Sequence, residues 1–177
     1  MAKISLIGAG SVVFARRLLQ DIVCVPELND STVSLMDTDP ERLALMSKFA
    51  NKLARDTGTH IKVETTPSRR EALTDSDYVL TTIRVGDSFE RDIAIPLKYG
   101  VDQSVGDTVG PGGVFKALRT APVLMDICHD IEEVAPDATL LNYTNPMAIA
   151  CWAIAEATDV PTLGLCHSVQ HTTADLA

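Results

Sequence analysis

The chain has 177 residues, and its 15 Lys and Arg against 24 Asp and Glu give a formal net charge of −9 at pH 7. A hydrophobic share of 46% is typical of globular domains and argues against general disorder. The length predicts one domain, and the acidic balance argues against a nucleic-acid partner, which needs a basic face. No apolar run reaches the roughly 18 residues that cross a bilayer. The first apolar run ends too early for a secretory signal, so we expect a cytoplasmic protein without a membrane partner.

Short apolar runs alternate with helical spacing along the whole chain. The runs predict strands at Lys3–Ile7, Thr32–Met36, Ile61–Glu64, Tyr78–Ile83, Ala138–Leu141 and Pro161–Leu165. Helical patterns are found at Phe14–Val23, Pro40–Leu53, Phe115–Ile131 and Pro146–Ile154, whereas Gln103–Gly113 is predicted to be a surface loop. Alternating strands and helices predict an α/β fold, a doubly wound parallel sheet of the Rossmann-like type, over residues 1–177.

A glycine turn follows the first predicted strand. Gly8 permits a tight turn, Gly10 lets the backbone approach a pyrophosphate, and Ser11 opens a helix whose N-terminus attracts anions. Val13 stands where the dinucleotide fingerprint has its third glycine, so the motif is incomplete. Asp37 ends the second strand, where a carboxylate would bind both ribose hydroxyls of NAD and repel the extra phosphate of NADP. The alternative is an ordinary turn with an exposed Asp.

Two further segments follow the fifth and sixth predicted strands, whose carboxyl ends face the ligand crevice of such a sheet. Asn145 precedes Pro146 at a strand-to-helix junction and suits a hydroxyl-rich ligand, although a turn or helix-cap role is the alternative. Cys166 and His167 carry side chains that bind transition metals, but two adjacent residues cannot complete a coordination sphere. The alternative interpretation is that Cys166 is a buried core thiol and that Ser168 caps the following helix.

The glycine-rich loop and the helix after it supply the remaining candidates. Asp107 is a carboxylate on a loop that could fold over the crevice. Lys116 and Arg119 share one helical face, for which we expect a solvated surface. The four cysteines match neither a disulfide scaffold nor a CxxC metal site, so we expect reduced thiols, at least three of them in the core.

These segments together resemble glycoside hydrolase family 4. The resemblance rests on six runs in the same order along the chain: Gly8-Ala9-Gly10-Ser11, Leu35-Met36-Asp37, Gly106-Asp107-Thr108-Val109-Gly110-Pro111-Gly112-Gly113, Leu118-Arg119-Thr120, Asn142-Tyr143-Thr144-Asn145-Pro146-Met147-Ala148 and Gly164-Leu165-Cys166-His167-Ser168-Val169-Gln170. The Cys-His-Ser-Val form resembles the α-galactosidase (melibiase) branch, whose relatives also include α-galacturonidases. His171 departs from that branch, which tends to carry Gly there.

The resemblance implies a hydrolysis in which NAD is a catalytic cofactor. NAD⁺ takes hydride from the sugar C3 hydroxyl, a divalent metal, usually Mn²⁺, stabilises the enolate, the aglycone is eliminated, water adds at C1, and the hydride returns. This family is an exception to the rule of two catalytic carboxylates.

The resemblance also implies roles for individual residues. Gly8, Gly10, Ser11 and Asp37 match the NAD site, and Asn145 matches the substrate-binding Asn. Cys166 matches a metal ligand. His167 is implied to bind substrate or assist protonation of the leaving group, and Asp107 to lie near the sugar.

Family members are more than twice as long as this chain. The resemblance therefore implies that a C-terminal substrate domain, with a second metal-binding His and a Tyr base, would lie beyond Ala177. We expect a homo-oligomer in the full-length form and no activity from these 177 residues alone. Two other classes stay open: a malate or lactate dehydrogenase-like oxidoreductase, and a non-catalytic NAD-binding module.

Overall fold

A computed structural model of the chain describes residues 1–86, 90–103 and 108–176, with backbone alone at residues 167, 170 and 171. Its strands are β1 (Lys3–Ile7), β2 (Thr32–Met36), β3 (Lys62–Thr66), β4 (Tyr78–Thr81), β5 (Thr139–Asn142) and β6 (Thr162–Gly164). Its α-helices are α1 (Phe14–Cys24), α2 (Pro40–Thr57), α3 (Arg69–Leu73), α4 (Glu90–Lys98), α5 (Gly110–Val134), α6 (Met147–Ala157) and α7 (His167–Leu176). A short 3-10 turn, Pro26–Leu28, precedes β2.

The strands form one six-stranded sheet in the order β3-β2-β1-β4-β5-β6. Every neighbouring pair is parallel, with Ile7 opposite Met36 of β2 and Thr81 of β4. The chain first runs outwards from β1 to β3 and then returns to the other side of β1 for β4. This order confirms the predicted doubly wound fold, and it places a topological switch point between β1 and β4, where ligands bind in sheets of this kind.

Both faces of the sheet are covered, and alternate residues of one strand enter different cores. Val79 of β4 packs with the buried residues of α3, α5 and α6, whereas Leu80 beside it packs with those of α1 and α2. Such two-sided burial explains why the central strands β1, β2 and β4 are mainly apolar runs rather than alternating ones.

The helix after β2 shows how local sequence fixes an element. The Asp39 side chain caps α2 by accepting from the N–H groups of Glu41 and Arg42, and Pro40 occupies the first turn, where no N–H is needed. Gly58 ends the helix with φ of 68°, a left-handed conformation that favours glycine. The predicted start at Pro40 is confirmed, and the helix continues four residues beyond the predicted Leu53.

Three regions differ from the sequence predictions. Helices α3 and α4 were not predicted, and α3 has only 5 residues, too few to show a helical period. The predicted loop Gln103–Gly113 is wrong at its end, because α5 already begins at Gly110. Gly113 is required there, since a Cβ on it would lie 2.8 Å from the carbonyl carbon of Thr108.

The predicted solvated face of α5 is also wrong. Lys116 is 8% exposed, and Arg119 makes a bidentate ion pair with the buried Asp92 of α4 at 2.9 and 2.7 Å. The pair joins α4 to α5.

The cysteine prediction fails in a similar way. Cys128 is buried and Cys151 is half-buried, but Cys24 and Cys166 are exposed. Apolar neighbours in sequence therefore did not place these thiols in the core. No helix in the described parts of the chain is both long and apolar enough to span a membrane.

Candidate functional site

The glycine turn after β1 is held between the ends of β2 and β4. The N–H groups of Gly8 and Ala9 donate to the Met36 carbonyl at 3.0 and 2.9 Å, and the Thr82 hydroxyl donates to the Gly8 carbonyl at 2.9 Å. Gly8 has φ of 89°, and a Cβ on it would lie 2.8 Å from the Thr82 carbonyl oxygen. Only glycine fits this position without displacing the backbone of the neighbouring strand.

Asp37 is fixed against the second glycine of the turn. The Gly10 N–H donates to Asp37 Oδ2 at 2.7 Å, and the Asp39 N–H donates to Asp37 Oδ1 at 2.9 Å. A Cβ on Gly10 would lie 2.7 Å from that same Oδ2, so the carboxylate occupies the space that the missing side chain leaves. Each carboxylate oxygen can accept more than one hydrogen bond, and both can therefore also accept from hydroxyl groups of a ligand.

Ser11 carries the chain from the turn into α1. Its N–H donates to the Gly8 carbonyl at 3.2 Å, and its hydroxyl accepts from the Phe14 N–H at 3.3 Å. The first N–H groups of a helix have no partner within the helix, and the helix dipole is positive at this end. The turn and α1 thus form a site suited to an anion.

A cleft of about 920 Å³ lies over this turn at the carboxyl edge of the sheet. It is lined by Ile7, Gly8, Gly10, Ser11, Val12, Val13, Met36, Asp37, Thr38, Asp39, Arg42, Leu45, Arg69, Thr82, Ile83, Arg84, Val123 and Ile127. Four of the predicted residues, Gly8, Gly10, Ser11 and Asp37, therefore share one cleft. Its volume falls in the range of small-molecule and cofactor sites, roughly 300–1,000 Å³.

Asn145 stands on a turn that a buried amide network fixes. Asn142 Oδ1 accepts from the Thr81 hydroxyl at 2.9 Å and from the Thr144 N–H at 3.1 Å, while its Nδ2 donates to the Thr144 carbonyl at 3.1 Å. The Thr144 hydroxyl in turn accepts from the Ile83 N–H at 3.2 Å. Asn142 is fully buried, and its side chain stabilises the turn after β5. Asn145 is half-buried at the carboxyl edge of the sheet. The peptide bond between Asn145 and Pro146 is cis.

Cys166 lies between the end of β6 and the start of α7, and its thiol is exposed. Hydrogen bonds from the Ser168 hydroxyl, and from the N–H groups of Ser168 and Val169, lower the pKa of the Cys166 thiol. The thiolate, which is the form that binds metal, is thereby favoured.

The described residues do not complete a metal site. Over the described ranges, no group of three or more His, Cys, Asp or Glu side chains could hold a metal ion. His167 begins α7, but its side chain lies outside the described part, as does the whole of Asp107. Cys166 thus stays a candidate ligand, without a complete ligand set among the described residues.

Two residues of the cleft were missed by sequence reasoning. Thr82 holds the glycine turn, and its place directly after β4 is a signal that could have identified it. Arg69 lines the cleft from the start of α3, a helix that no periodicity predicted.

The profile described as Family 4 glycosyl hydrolase matches residues 3–177. The chain belongs to glycosyl hydrolase family 4. The resemblance drawn from the sequence motifs is thereby confirmed, and it extends over the whole chain.

Relatives of the chain include enzymes from several bacteria. Alpha-galactosidases of Rhizobium meliloti and Bacillus subtilis are each 44% identical to it over 99% of its length. An alpha-galacturonidase of Lachnoclostridium phytofermentans is 36% identical over 94% of it. The chain spans only 36%, 41% and 37% of these three proteins, respectively.

Solved structures agree with the fold. A 6-phospho-beta glucosidase from Thermotoga maritima, crystallised with manganese, NAD⁺ and glucose-6-phosphate, superposes with a TM-score of 0.88 at 27% identity, covering 100% of this chain and 42% of that one. A malate dehydrogenase from Salinibacter ruber has a TM-score of 0.65 at 17% identity, covering 93% of this chain and 44% of its own. The second likeness shows the fold alone and confirms its dehydrogenase-like type.

Proposed function

We propose that this chain is the NAD-binding part of a glycoside hydrolase that acts on α-galactosides with the help of NAD and a divalent metal such as Mn²⁺. The observation that carries the proposal is the Asp37 carboxylate held against Gly10 inside the cleft, in a chain of this family. A carboxylate at that point suits the paired ribose hydroxyls of NAD and disfavours the additional phosphate of NADP.

The residues of the cleft divide the work of cofactor binding. Gly8 and Gly10 have no Cβ, so the backbone can approach a pyrophosphate closely, and Ser11 with the start of α1 offers N–H groups to it. Asp37 orients the ribose and thereby sets the direction in which the cofactor extends across the sheet. Asn145 follows β5 on the opposite side of β1 from Asp37, where it would face the other end of the cofactor.

Bound NAD supplies a hydride acceptor that is restored at the end of each turnover. Asn145 would orient the sugar through its hydroxyl groups, because an amide both donates and accepts hydrogen bonds. Cys166 would bind the metal as a thiolate, together with ligands outside the described residues. His167 would assist at the leaving group or bind substrate, Asp107 would approach the sugar from its loop, and the full-length enzyme would be a homo-oligomer.

The substrate part of the proposal rests on the relatives. Two of them are alpha-galactosidases at 44% identity, and the Thermotoga structure contains both manganese and NAD⁺. The alternative substrate class is α-galacturonides, which the alpha-galacturonidase at 36% identity favours. An oxidoreductase of the malate dehydrogenase type is the second alternative, and the fold it shares with this chain is the observation in its favour. A non-catalytic NAD-binding module is the third.

A substrate panel tests the proposal. The full-length gene product and the 177-residue chain are each assayed with p-nitrophenyl α-galactoside, p-nitrophenyl α-galacturonide and L-malate, with NAD⁺, Mn²⁺ and a thiol reductant present or omitted in turn. We expect the full-length product to cleave the galactoside and the 177-residue chain to bind NAD⁺ without cleaving it. Cleavage of the galacturonide instead would transfer the proposal to that substrate, and malate-dependent NADH release would overturn it.

A further inference from the structure

Arg69 has an arrangement that the cofactor site described above does not use. Its Nε donates to Asp130 Oδ2 at 2.5 Å, and Asp130 is a buried residue of α5. Among the described residues, neither terminal nitrogen of Arg69 has a hydrogen-bond or ion-pair partner. A guanidinium carries five N–H donors, so four of them remain available on a group whose position is fixed by the fifth.

The anchor of Arg69 is itself part of a network. Asp130 Oδ1 accepts from Arg70 Nη1 at 2.6 Å, and Arg70 Nη2 donates to Glu133 at 2.7 Å. Two arginines thus share one buried carboxylate, but only Arg69 lines the cleft. Arg70 is therefore a natural control for any effect of the network on stability.

The order of strands indicates which part of a dinucleotide reaches Arg69. The pyrophosphate site is at the turn after β1, and the ribose carboxylate, Asp37, follows β2. In the sheet the next strand outward is β3, and Arg69 begins the helix that comes after it. Neighbouring strands lie about 4.8 Å apart, which is close to the spacing between successive groups of a dinucleotide. Residues that follow successive strands are therefore expected to contact successive groups of the ligand. The group beyond the ribose is the purine base.

The surroundings of Arg69 in the cleft favour a base over a phosphate. The same cleft is also lined by Met36 at the end of β2 and by Val123 and Ile127 on α5, the helix that carries Asp130. Apolar side chains suit the face of a flat ring, and a donor-only guanidinium suits the acceptor atoms on its edge. The nearby Asp37 carboxylate disfavours a second anion in the same place.

We propose that Arg69, held by Asp130, is a specificity-determining residue that reads the edge of the cofactor's purine base. The proposal rests on the proposed function, because it requires that the cleft binds NAD. It predicts that Arg69 distinguishes adenine from hypoxanthine, since adenine accepts at N1 and donates from its 6-amino group, whereas hypoxanthine donates from N1–H and accepts at its 6-carbonyl, and a guanidinium can only donate.

The test is a set of titrations of the 177-residue chain with NAD⁺ and with nicotinamide hypoxanthine dinucleotide. The variants are Arg69→Met, the conservative Arg69→Lys, and the control Arg70→Met, each first checked for fold by circular dichroism. We expect Arg69→Met to change the ratio of the two dissociation constants by about fivefold or more, because one hydrogen bond from a charged group is worth about 1.5–3 kcal/mol. Arg69→Lys should change the ratio in the same direction, and Arg70→Met should leave it within about twofold.

The possible outcomes separate the two proposals. An equal loss for both dinucleotides in Arg69→Met, with greater salt sensitivity in the wild-type chain, would show a phosphate contact and overturn the role in base recognition. An unchanged ratio and unchanged affinities would overturn it as well. Failure of the wild-type chain to bind either dinucleotide would overturn the proposed function itself.

Discussion

Asp37→Asn is the substitution that probes the proposed cofactor site most directly. In the structure Oδ2 accepts from the Gly10 N–H and Oδ1 accepts from the Asp39 N–H, so both oxygens already face donors. The amide of Asn keeps one acceptor and places an NH₂ group against another donor. It therefore loses the charge and one of the two proposed contacts to the ribose hydroxyls.

The magnitude follows from the strength of a charged hydrogen bond. One such bond contributes about 1.5–3 kcal/mol, and 1.4 kcal/mol corresponds to about a factor of ten in Kd. We expect Asp37→Asn to weaken NAD⁺ binding by about 10- to 100-fold in isothermal titration. NADP⁺ should lose less, because the substitution also removes the repulsion of its extra phosphate, so the preference for NAD⁺ over NADP⁺ should narrow.

A matched control is available at the other edge of the sheet. Asp77 Oδ2 accepts from the Lys3 N–H at 2.7 Å, the same distance and the same type of donor as at Gly10. Asp77→Asn should alter stability to a similar extent and leave NAD⁺ affinity unchanged. A folded Asp37→Asn protein that binds NAD⁺ within about twofold of the wild type would refute the reasoning, since about 0.4 kcal/mol is too little for a charged contact.

Three further predictions follow from individual contacts. Gly10→Ala places a Cβ 2.7 Å from Asp37 Oδ2. We therefore expect the free energy of unfolding in urea to fall by about 1–3 kcal/mol and NAD⁺ binding to weaken. If both quantities were unchanged, the close approach of Gly10 and Asp37 would be contradicted. Asp92→Ala removes the bidentate partner of Arg119. Because that arginine is partly exposed, we expect the free energy of unfolding in urea to fall by about 2 kcal/mol. A fall of less than about 0.5 kcal/mol would contradict this prediction. Burial raises the pKa of the Cys128 thiol to about 11 from its usual 9.0, so the folded state holds its proton longer than the unfolded state does. The free energy of unfolding should therefore fall by about 3 kcal/mol in total as the pH rises from about 9 to about 11. In Cys128→Ala the free energy of unfolding should change less with pH over this range. Equal pH dependence in the two proteins would contradict the raised pKa of Cys128.

Local patterns were enough to predict most of the sheet and the part of the cleft formed by the glycine turn and Asp37. The strands Lys3–Ile7 and Thr32–Met36 are found at their predicted bounds, and the glycine turn and Asp37 lie together as expected. These features succeed because they combine short apolar runs with turn chemistry, and because the carboxyl ends of parallel strands must share one edge. The third strand was displaced by about one residue at its start, the usual uncertainty of a boundary.

Features that depend on distant partners could not be predicted in this way. Arg119 was expected on a solvated face, but Asp92, 27 positions earlier in the chain, makes it part of a helix–helix contact. Arg69 meets Asp130 across 61 positions, so nothing next to it in sequence indicates a fixed guanidinium in the cleft. The exposure of Cys166 likewise depends on where β6 ends at the border of the sheet, not on its apolar neighbours.

The measurement that tests the central claim most directly is the stoichiometry of NAD during turnover of the full-length gene product. Cleavage of p-nitrophenyl α-galactoside is followed together with NADH absorbance, after bound nucleotide has been removed and NAD⁺ added back. The account predicts no cleavage without NAD⁺, and many product molecules per NAD⁺ with no net NADH when it is present. Full cleavage by the nucleotide-free enzyme, or one NADH released for each product formed, would contradict it.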